Sequence, residues 1–84
     1  MQERTLFELL VLSLANECLV GLGILPEPGT TRISRNLEMS KHNLDILVML
    51  QEKTKDNLTE DEEKLVNTVL YDLRVKLIEA QKKV

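Results

Sequence analysis

The sequence predicts an all-α protein with three helices, at about residues 5–22, 36–55 and 59–82. Leucine, glutamate and lysine dominate the chain, and no segment alternates apolar and polar residues with the period of a strand. Apolar residues instead recur at helical spacing in three segments, each preceded by a residue type that starts helices. The 84 residues should therefore form a single domain, 1–84, organised as a three-helix bundle-like protomer.

The first helix is predicted to begin after Thr5. Thr5 followed by Glu8 fits a capping box, in which each side chain accepts a hydrogen bond from a free backbone N–H of the first turn. Gly21 and Gly23 supply a C-cap, and two prolines shortly afterwards prevent continuation. Together these signals predict a helix that ends near Leu22.

The second helix is predicted to start at Asn36, a favourable N-cap residue, and to run to about Lys55. The connection before it, "GILPEPGTTRIS", is long for a small bundle. We therefore expect its apolar residues Ile24, Leu25 and Ile33 to dock onto the helices.

The third helix is predicted to start at Thr59. Thr59 and Glu62 form a second capping box, and the acidic residues of "TEDEE" suit the positive end of a helix dipole. Lysines near the end of the chain suit the opposite end. One apolar stripe follows the helix and consists of Leu65, Val66, Val69, Leu70, Leu73, Leu77 and Ala80.

The first helix differs from the third because apolar residues surround its axis between Leu6 and Leu22. A helix that is apolar on all sides must be buried on all sides. Two partner helices from so short a chain cover only part of it, so we expect a homo-oligomer through this helix, most simply a two-fold dimer. The alternative is that the docked loop covers the remaining surface.

Composition narrows the classes of function. The net charge is −3, no basic cluster occurs and only two aromatic residues are present, so nucleic-acid binding is disfavoured. Cys18 is the only cysteine, which indicates a reducing compartment. Glu8, Asn16 and Glu17 interrupt the first apolar segment, so a membrane location is disfavoured. We expect a cytoplasmic protein.

Two motif searches give negative results. A calcium loop starting at Asp56 needs an oxygen ligand, a glycine and a glutamate at its third, sixth and twelfth positions, where the chain has Leu58, Asp61 and Asn67. The G-x-G at Gly21 follows a helix and lacks the third glycine of a dinucleotide fingerprint. We predict no cofactor and no catalytic residue.

Weaker candidates for ligand binding lie on or near the second helix. Glu38, His42 and Asp45 are spaced to share one helix face, which makes them a candidate metal site. Arg32 and Arg35 precede the helix and are candidates for an anion site. The ordinary alternative for both sets is a solvated surface. Cys18, within an apolar helix, is expected to be a core thiol.

Two stretches of the chain, "LFELLVLSLANECLVGLGILPEP" and "NLEMSKHNLDILVMLQEKTKDNLTEDEEKLVNTVLYDLR", resemble a family of small bacterial all-helical domains of unknown function. Its signature includes L-x-x-K-T-x-G-N-L-T and L-Y-x-L-R. The resemblance implies a helical, cytoplasmic bacterial protein and transfers no activity, cofactor or catalytic residue. Asp56 stands where the family usually has glycine, Ser40 where it has alanine, Leu44 where it has isoleucine and Asn36 where it has aspartate.

Five polar residues match the family's pattern: Lys53, Thr54, Asn57 and Arg74 lie in these two motifs, and Asp45 matches the aspartate of a preceding I-D-x-L. We expect either that Asp45 pairs with Arg74, or that Lys53 pairs with a nearby acid, between helices. Thr54 and Asn57 should bond the backbone of the turn. The alternative is that the five form a shared ligand or partner surface.

Three functional hypotheses follow. The leading one is a non-enzymatic helical module that self-associates through the first helix and contacts a further, unknown protein partner. The second is a helical protein that binds a small ligand or metal through Glu38, His42, Asp45 and Arg74. The third, weaker hypothesis is peripheral association with a membrane through the first helix.

Overall fold

The computed structural model describes residues 3–82 and contains three α-helices. These are α1 (Leu6–Gly21), α2 (Leu37–Lys53) and α3 (Glu60–Lys82), and no strand occurs in the described part of the chain. The all-α, three-helix prediction is confirmed. The predicted spans differ from the observed ones mainly because they include the capping residues.

Both predicted capping boxes are present. At the start of α1, the Thr5 hydroxyl accepts a hydrogen bond from the Glu8 N–H at 3.1 Å, and the Glu8 carboxylate accepts one from the Thr5 N–H at 2.9 Å. Thr59 and Glu62 repeat the arrangement before α3, again at 3.1 and 2.9 Å. Two free N–H groups at each of these helix starts are thus satisfied by capping-box side chains.

The end of α1 is a Schellman motif. Gly23 has a positive φ of 79°, its N–H donates to the carbonyl of Val20 at 3.0 Å, and the N–H of Ile24 donates to the carbonyl of Leu19 at 3.0 Å. This pair of bonds satisfies carbonyls that the helix leaves free, and glycine adopts the required left-handed conformation at little cost.

Three contacts define the topology. The Thr5 hydroxyl donates to Glu62 at 2.6 Å, so the first residues of α1 and α3 lie together. The N–H of Asn36 donates to the carbonyl of Gly21 at 2.7 Å, which places the start of α2 at the end of α1. Arg35 in turn reaches the carbonyl of Ala80 near the end of α3. Helices α1 and α3 therefore run in the same direction, and α2 runs opposite to both.

All three helices contribute to one apolar core. Its most deeply buried large side chains are Val11, Leu47, Val66, Leu70 and Leu73. The predicted stripe of α3 packs into this core, with its outer members partly buried.

The loop between α1 and α2 docks less than expected. Ile24 and Ile33 are 50% and 55% exposed, and only Leu25 is partly buried, so the expectation that all three dock is wrong for the two isoleucines. The loop is shaped by its own backbone instead, including a 2.8 Å hydrogen bond from the Glu27 N–H to the Arg32 carbonyl. Because the loop follows the end of α1, it leaves the other end of that helix uncovered.

Helices α1 and α2 approach closely where α1 ends. A Cβ atom added to Gly21 would lie 2.3 Å from Oγ of Ser40 and 2.7 Å from the carbonyl oxygen of Asn36. Ser40 is fully buried, and its hydroxyl donates to the carbonyl of Cys18 at 2.7 Å. Small residues on both helices therefore allow a backbone approach that larger side chains would prevent.

Candidate functional site

The outward side of α1 exposes leucines near its first turn. Leu6, Leu9 and Leu10 are 85%, 49% and 46% exposed, and their i, i+3, i+4 spacing places them on one helix face. We call these three residues the α1 patch. Ser13 and Glu17 continue the same face as exposed polar residues. The apolar excess predicted for the helix is thus concentrated in its first half.

A second exposed apolar face lies on α3. Tyr71, Val75 and Ile78 are 73%, 39% and 52% exposed and are spaced at i, i+4, i+7. We call these residues the α3 patch. Sequence reasoning missed it because the core stripe of the same helix accounted for the amphipathic pattern. The regular spacing of the three residues was the signal that could have revealed it.

The candidate metal residues on α2 are not assembled into a site. Glu38, His42 and Asp45 are all exposed on the surface of the helix. Within residues 3–82, no group of three or more histidine, cysteine, aspartate or glutamate side chains is arranged to hold a metal ion. The helix spacing places the three side chains on one face but does not bring in ligands from another element.

The expected ion pair between Asp45 and Arg74 is not formed. Both side chains are exposed, and neither takes part in the ion pairs that the structure contains between residues 3 and 82. Lys53 is likewise exposed and forms no ion pair with an acid in the described structure. The bundle is therefore held by its apolar core and capping contacts, without the interhelical pairs that the sequence suggested.

The corner between α2 and α3 uses two of the signature residues. The hydroxyl of Thr54 donates to the carbonyl of Leu50 at 2.6 Å, and the N–H of Asn57 donates to the carbonyl of Thr54 at 2.9 Å. The expectation that Thr54 bonds the backbone is confirmed, whereas Asn57 contributes through its main chain. Asp56 has a φ of 65°, the left-handed conformation that suits the glycine expected at this position.

The two candidate anion-binding arginines are engaged elsewhere. The guanidinium of Arg35 donates a 2.6 Å hydrogen bond to the carbonyl of Ala80, and Arg32 lies 4.0 Å from the carboxylate of Glu27. Arg35 thus satisfies a carbonyl in the last turn of α3, where positive charge is favourable. The two side chains do not converge on a common anion site.

Cys18 lies in the core, as expected. Its thiol is fully buried and donates a 3.5 Å hydrogen bond to the carbonyl of Ser40. Burial raises the pKa of the Cys18 thiol, and the hydrogen bond with Ser40 opposes that increase only in part. A buried thiol with a raised pKa is a poor nucleophile.

A cluster of hydrogen-bonded polar side chains joins the starts of α1 and α3. Oε2 of Glu62 accepts the Thr5 hydroxyl, and Oε1 accepts the N–H of Thr59. These hydrogen bonds, led by that from Thr5, lower the pKa of the Glu62 carboxyl. Glu8 completes the cluster from the α1 side, where it also lies 3.4 Å from Arg4. Each carboxylate serves a helix start, so the cluster is structural.

None of the helices within residues 3–82 is long and apolar enough to cross a membrane.

Comparison with known proteins places the chain in a family. No curated protein and no solved structure is significantly similar to it. Residues 4–79 match the family described as "Domain of unknown function (DUF1844)", so the match covers nearly the whole chain. This agrees with the resemblance seen in the sequence, and the chain belongs to the DUF1844 family.

Proposed function

We propose that the protein is a non-enzymatic helical module that self-associates through the α1 patch and acts by protein–protein contact. The observation that carries the proposal is the exposure of Leu6, Leu9 and Leu10 together on one helix face. Contiguous exposed apolar surface on a small protein is typical of an interaction site.

Energetic considerations support association. Full burial of a leucine side chain contributes about 1.5–3 kcal/mol, so covering three half-exposed or more exposed leucines contributes several kcal/mol per protomer. A domain of this size has a total stability of only about 5–15 kcal/mol. The loop that could have covered α1 lies at the opposite end of the helix from the α1 patch.

The polar interior supports a role without catalysis. Within residues 3–82, no buried side-chain nitrogen or oxygen lacks a hydrogen-bond partner. The buried polar residues serve structural roles: Glu8 and Glu62 in the capping boxes, Ser40 between α1 and α2, and Asn43, whose amide donates to the Met39 carbonyl at 3.0 Å. The buried polar side chains are therefore accounted for by helix capping and packing.

The setting that we propose is the bacterial cytoplasm, where the module would contact a further protein partner. The buried, unpaired thiol of Cys18 is compatible with a reducing compartment.

The self-association is tested by light scattering and analytical ultracentrifugation of the full chain between about 1 and 200 µM, a range spanning ordinary association constants. We expect a particle larger than the 9.6 kDa protomer and a melting temperature that rises with concentration. Leu9→Glu and Leu10→Glu should each shift the equilibrium to the monomer. Met49→Glu is the matched control, because Met49 is a 43% exposed apolar residue of α2. A monomer throughout the range would contradict the proposal.

A further inference from the structure

The exposed face of α1 ends in negative charge. Glu17 follows Leu10 by seven residues, two helical turns further along the same face, and Glu3 precedes Leu6 by three residues. Both glutamates are exposed, and α1 contains no lysine or arginine. Arg4, the exposed cation just before the helix, is paired with Glu8, so the α1 patch is an apolar surface with acidic flanks.

The exposed face of α3 has the opposite character. Lys64 precedes Tyr71 by seven residues on the same face, and Lys82 follows Ile78 by four. Both lysines are exposed. Asp72, the acid next to Tyr71 in sequence, is already paired with Lys76. The α3 patch is therefore an apolar surface with a lysine at each end, and the exposed Glu60 lies one turn beyond Lys64.

Two other charged residues border the α3 patch. Arg74 and Glu79 are exposed and lie on opposite sides of the patch, since they are displaced in opposite directions around the helix axis. Their charges are of opposite sign, so Lys64 and Lys82 remain the charged residues nearest to the patch along the face.

We propose that the α1 patch of one copy packs against the α3 patch of a second copy, with the two helices antiparallel. This inference rests on the proposed self-association and identifies the surface that receives the α1 patch. An antiparallel register that sets Leu10 opposite Tyr71 also sets Leu6 opposite Val75, because both pairs are four residues apart. The same register sets Glu17 opposite Lys64.

A closed, two-fold form of this contact requires α1 and α3 to run in the same direction within one protomer. Helices α1 and α3 run in the same direction within a protomer, and their first residues are joined by the hydrogen bond from Thr5 to Glu62. In the proposed dimer, a two-fold axis perpendicular to both helices sets α1 on the second copy's α3 and α3 on the second copy's α1. Each interface then contains two antiparallel contacts and two Glu17–Lys64 pairs.

Charge distinguishes this arrangement from two others. Packing α1 on α1 would combine two acidic-flanked surfaces without a cation from either helix. Parallel packing of α1 on α3 would pair Glu17 with Lys82, but the same register sets Glu3 opposite Thr68 and gives Lys64 no acidic residue of α1 to face. The antiparallel arrangement pairs Glu17 with Lys64 and brings Glu3 towards Lys82.

The test measures the association constant of the full chain by analytical ultracentrifugation. Glu17→Lys and Lys64→Glu should each weaken association by about tenfold, since each reversal acts twice per dimer and replaces attraction by repulsion. The double variant Glu17→Lys/Lys64→Glu should return to within about threefold of the wild type, because the pair is restored with its signs exchanged. Glu52→Lys and Lys41→Glu, exposed residues of α2, are the matched single-charge controls and should have no effect.

Three results would overturn the inference while leaving self-association intact. Association could be unaffected by Lys64→Glu and Tyr71→Ala, which would place the contact on a surface other than α3. Lys82→Glu, rather than Lys64→Glu, could restore binding to Glu17→Lys, which would show a parallel arrangement. The double variant could also remain as weak as the singles. A wild-type protein that stays monomeric would instead contradict the proposed function itself. Circular dichroism and urea unfolding of each variant check that the fold is retained.

Discussion

The hydroxyl of Thr5 donates a 2.6 Å hydrogen bond to Oε2 of Glu62, so the capping residue of α1 is bonded to the capping box of α3. Thr5 serves both helix starts at once, because its oxygen also accepts the Glu8 N–H. The two boxes are thus one hydrogen-bonded unit, although Thr5 and Glu62 are 57 residues apart in the chain.

Replacing Thr5 should therefore cost more than replacing an ordinary N-cap. Thr5→Ala removes the cap of α1 and the donor to Glu62, and we expect a loss of about 2 kcal/mol in the free energy of unfolding. Thr59→Ala removes only the cap of α3 and should cost about 1 kcal/mol. Thr5→Ser keeps both hydrogen bonds and should stay close to the wild type. Urea unfolding measures all three, and equal losses for Thr5→Ala and Thr59→Ala would show that the interhelical bond contributes little.

The hydrogen-bonded unit of Thr5 and Glu62 should also make the free energy of unfolding depend on pH. The hydrogen bond from Thr5, followed by those from Thr59, lowers the pKa of Glu62 in the folded protein. A carboxyl whose pKa is lower in the folded state binds a proton more readily when unfolded. Its stabilising contribution is therefore present above the unfolded pKa and is lost as the pH falls through the folded pKa.

Glu62→Gln should abolish that component of the pH dependence. We expect the variant to be less stable than the wild type at pH 7, with the difference shrinking as the pH is lowered below the ordinary range of a glutamate. Thermal unfolding between pH 7 and pH 3 measures the effect. Glu63→Gln, at an exposed neighbouring position, is the control, and a parallel pH profile for Glu62→Gln and the wild type would refute the linkage.

The close approach of α1 and α2 predicts intolerance at Gly21. Gly21→Ala places a methyl group 2.7 Å from the backbone carbonyl of Asn36, which cannot move aside as a side chain would. We expect a loss of about 2–3 kcal/mol, measured by urea unfolding. Asn16→Ala, at an exposed position in the same helix, should be nearly neutral. Wild-type stability of Gly21→Ala would mean that the two helices can separate without cost.

Substitution of Ser40 separates packing from hydrogen bonding at the same contact. Ser40→Ala removes the 2.7 Å bond to the Cys18 carbonyl but introduces no larger group, so we expect a loss of only about 1 kcal/mol. The family resemblance places alanine at this position, which agrees with a modest cost. A loss as large as that of Gly21→Ala would indicate that the hydrogen bond, rather than the close approach, holds the two helices together.

The turn between α2 and α3 offers a stabilising change. Asp56 has a φ of 65°, where a residue with a Cβ atom is strained and glycine is not. Asp56→Gly relieves this strain, but it also gives the unfolded chain more conformational entropy, which offsets part of the gain. We therefore expect the free energy of unfolding to rise by about 0.5–1 kcal/mol. Asp56→Ala keeps the Cβ atom and loses the tolerance of aspartate, so it should be less stable than the wild type. Chemical unfolding of the three proteins gives the order, and a destabilised Asp56→Gly would contradict it.

Much of this architecture was predictable because its determinants are local. Capping boxes, the glycine that ends α1 and the threonine of the α2–α3 corner act within a few residues of chain, so Thr5 with Glu8 and Thr59 with Glu62 could be identified in the sequence. The left-handed conformation of Asp56 was not predicted, although the glycine that the family resemblance places at this position is compatible with it. The excess of apolar residues in the first helix was visible in the amino-acid composition of that segment.

The predictions that failed concern side chains distant in sequence. The proposed Asp45–Arg74 pair depended on how α2 and α3 are rotated about their axes, and small rotations move surface charges out of reach of each other. The α3 patch was overlooked because apolar spacing alone cannot tell which of two stripes faces the core. Tyr71, Val75 and Ile78 are exposed because the other apolar stripe of α3 packs into the core, and only the structure shows which stripe does so.

The sequence alone thus determined three helices, their boundaries and an apolar surplus in the first, because helix formation and capping depend on neighbouring residues. Only the tertiary structure decided that Thr5 meets Glu62, that Gly21 lies against Ser40, and that the surplus emerges at Leu6, Leu9 and Leu10. The physical reason is that a helix's rotation and closest approach are set by the fit of all three helices to one core, which no single segment specifies.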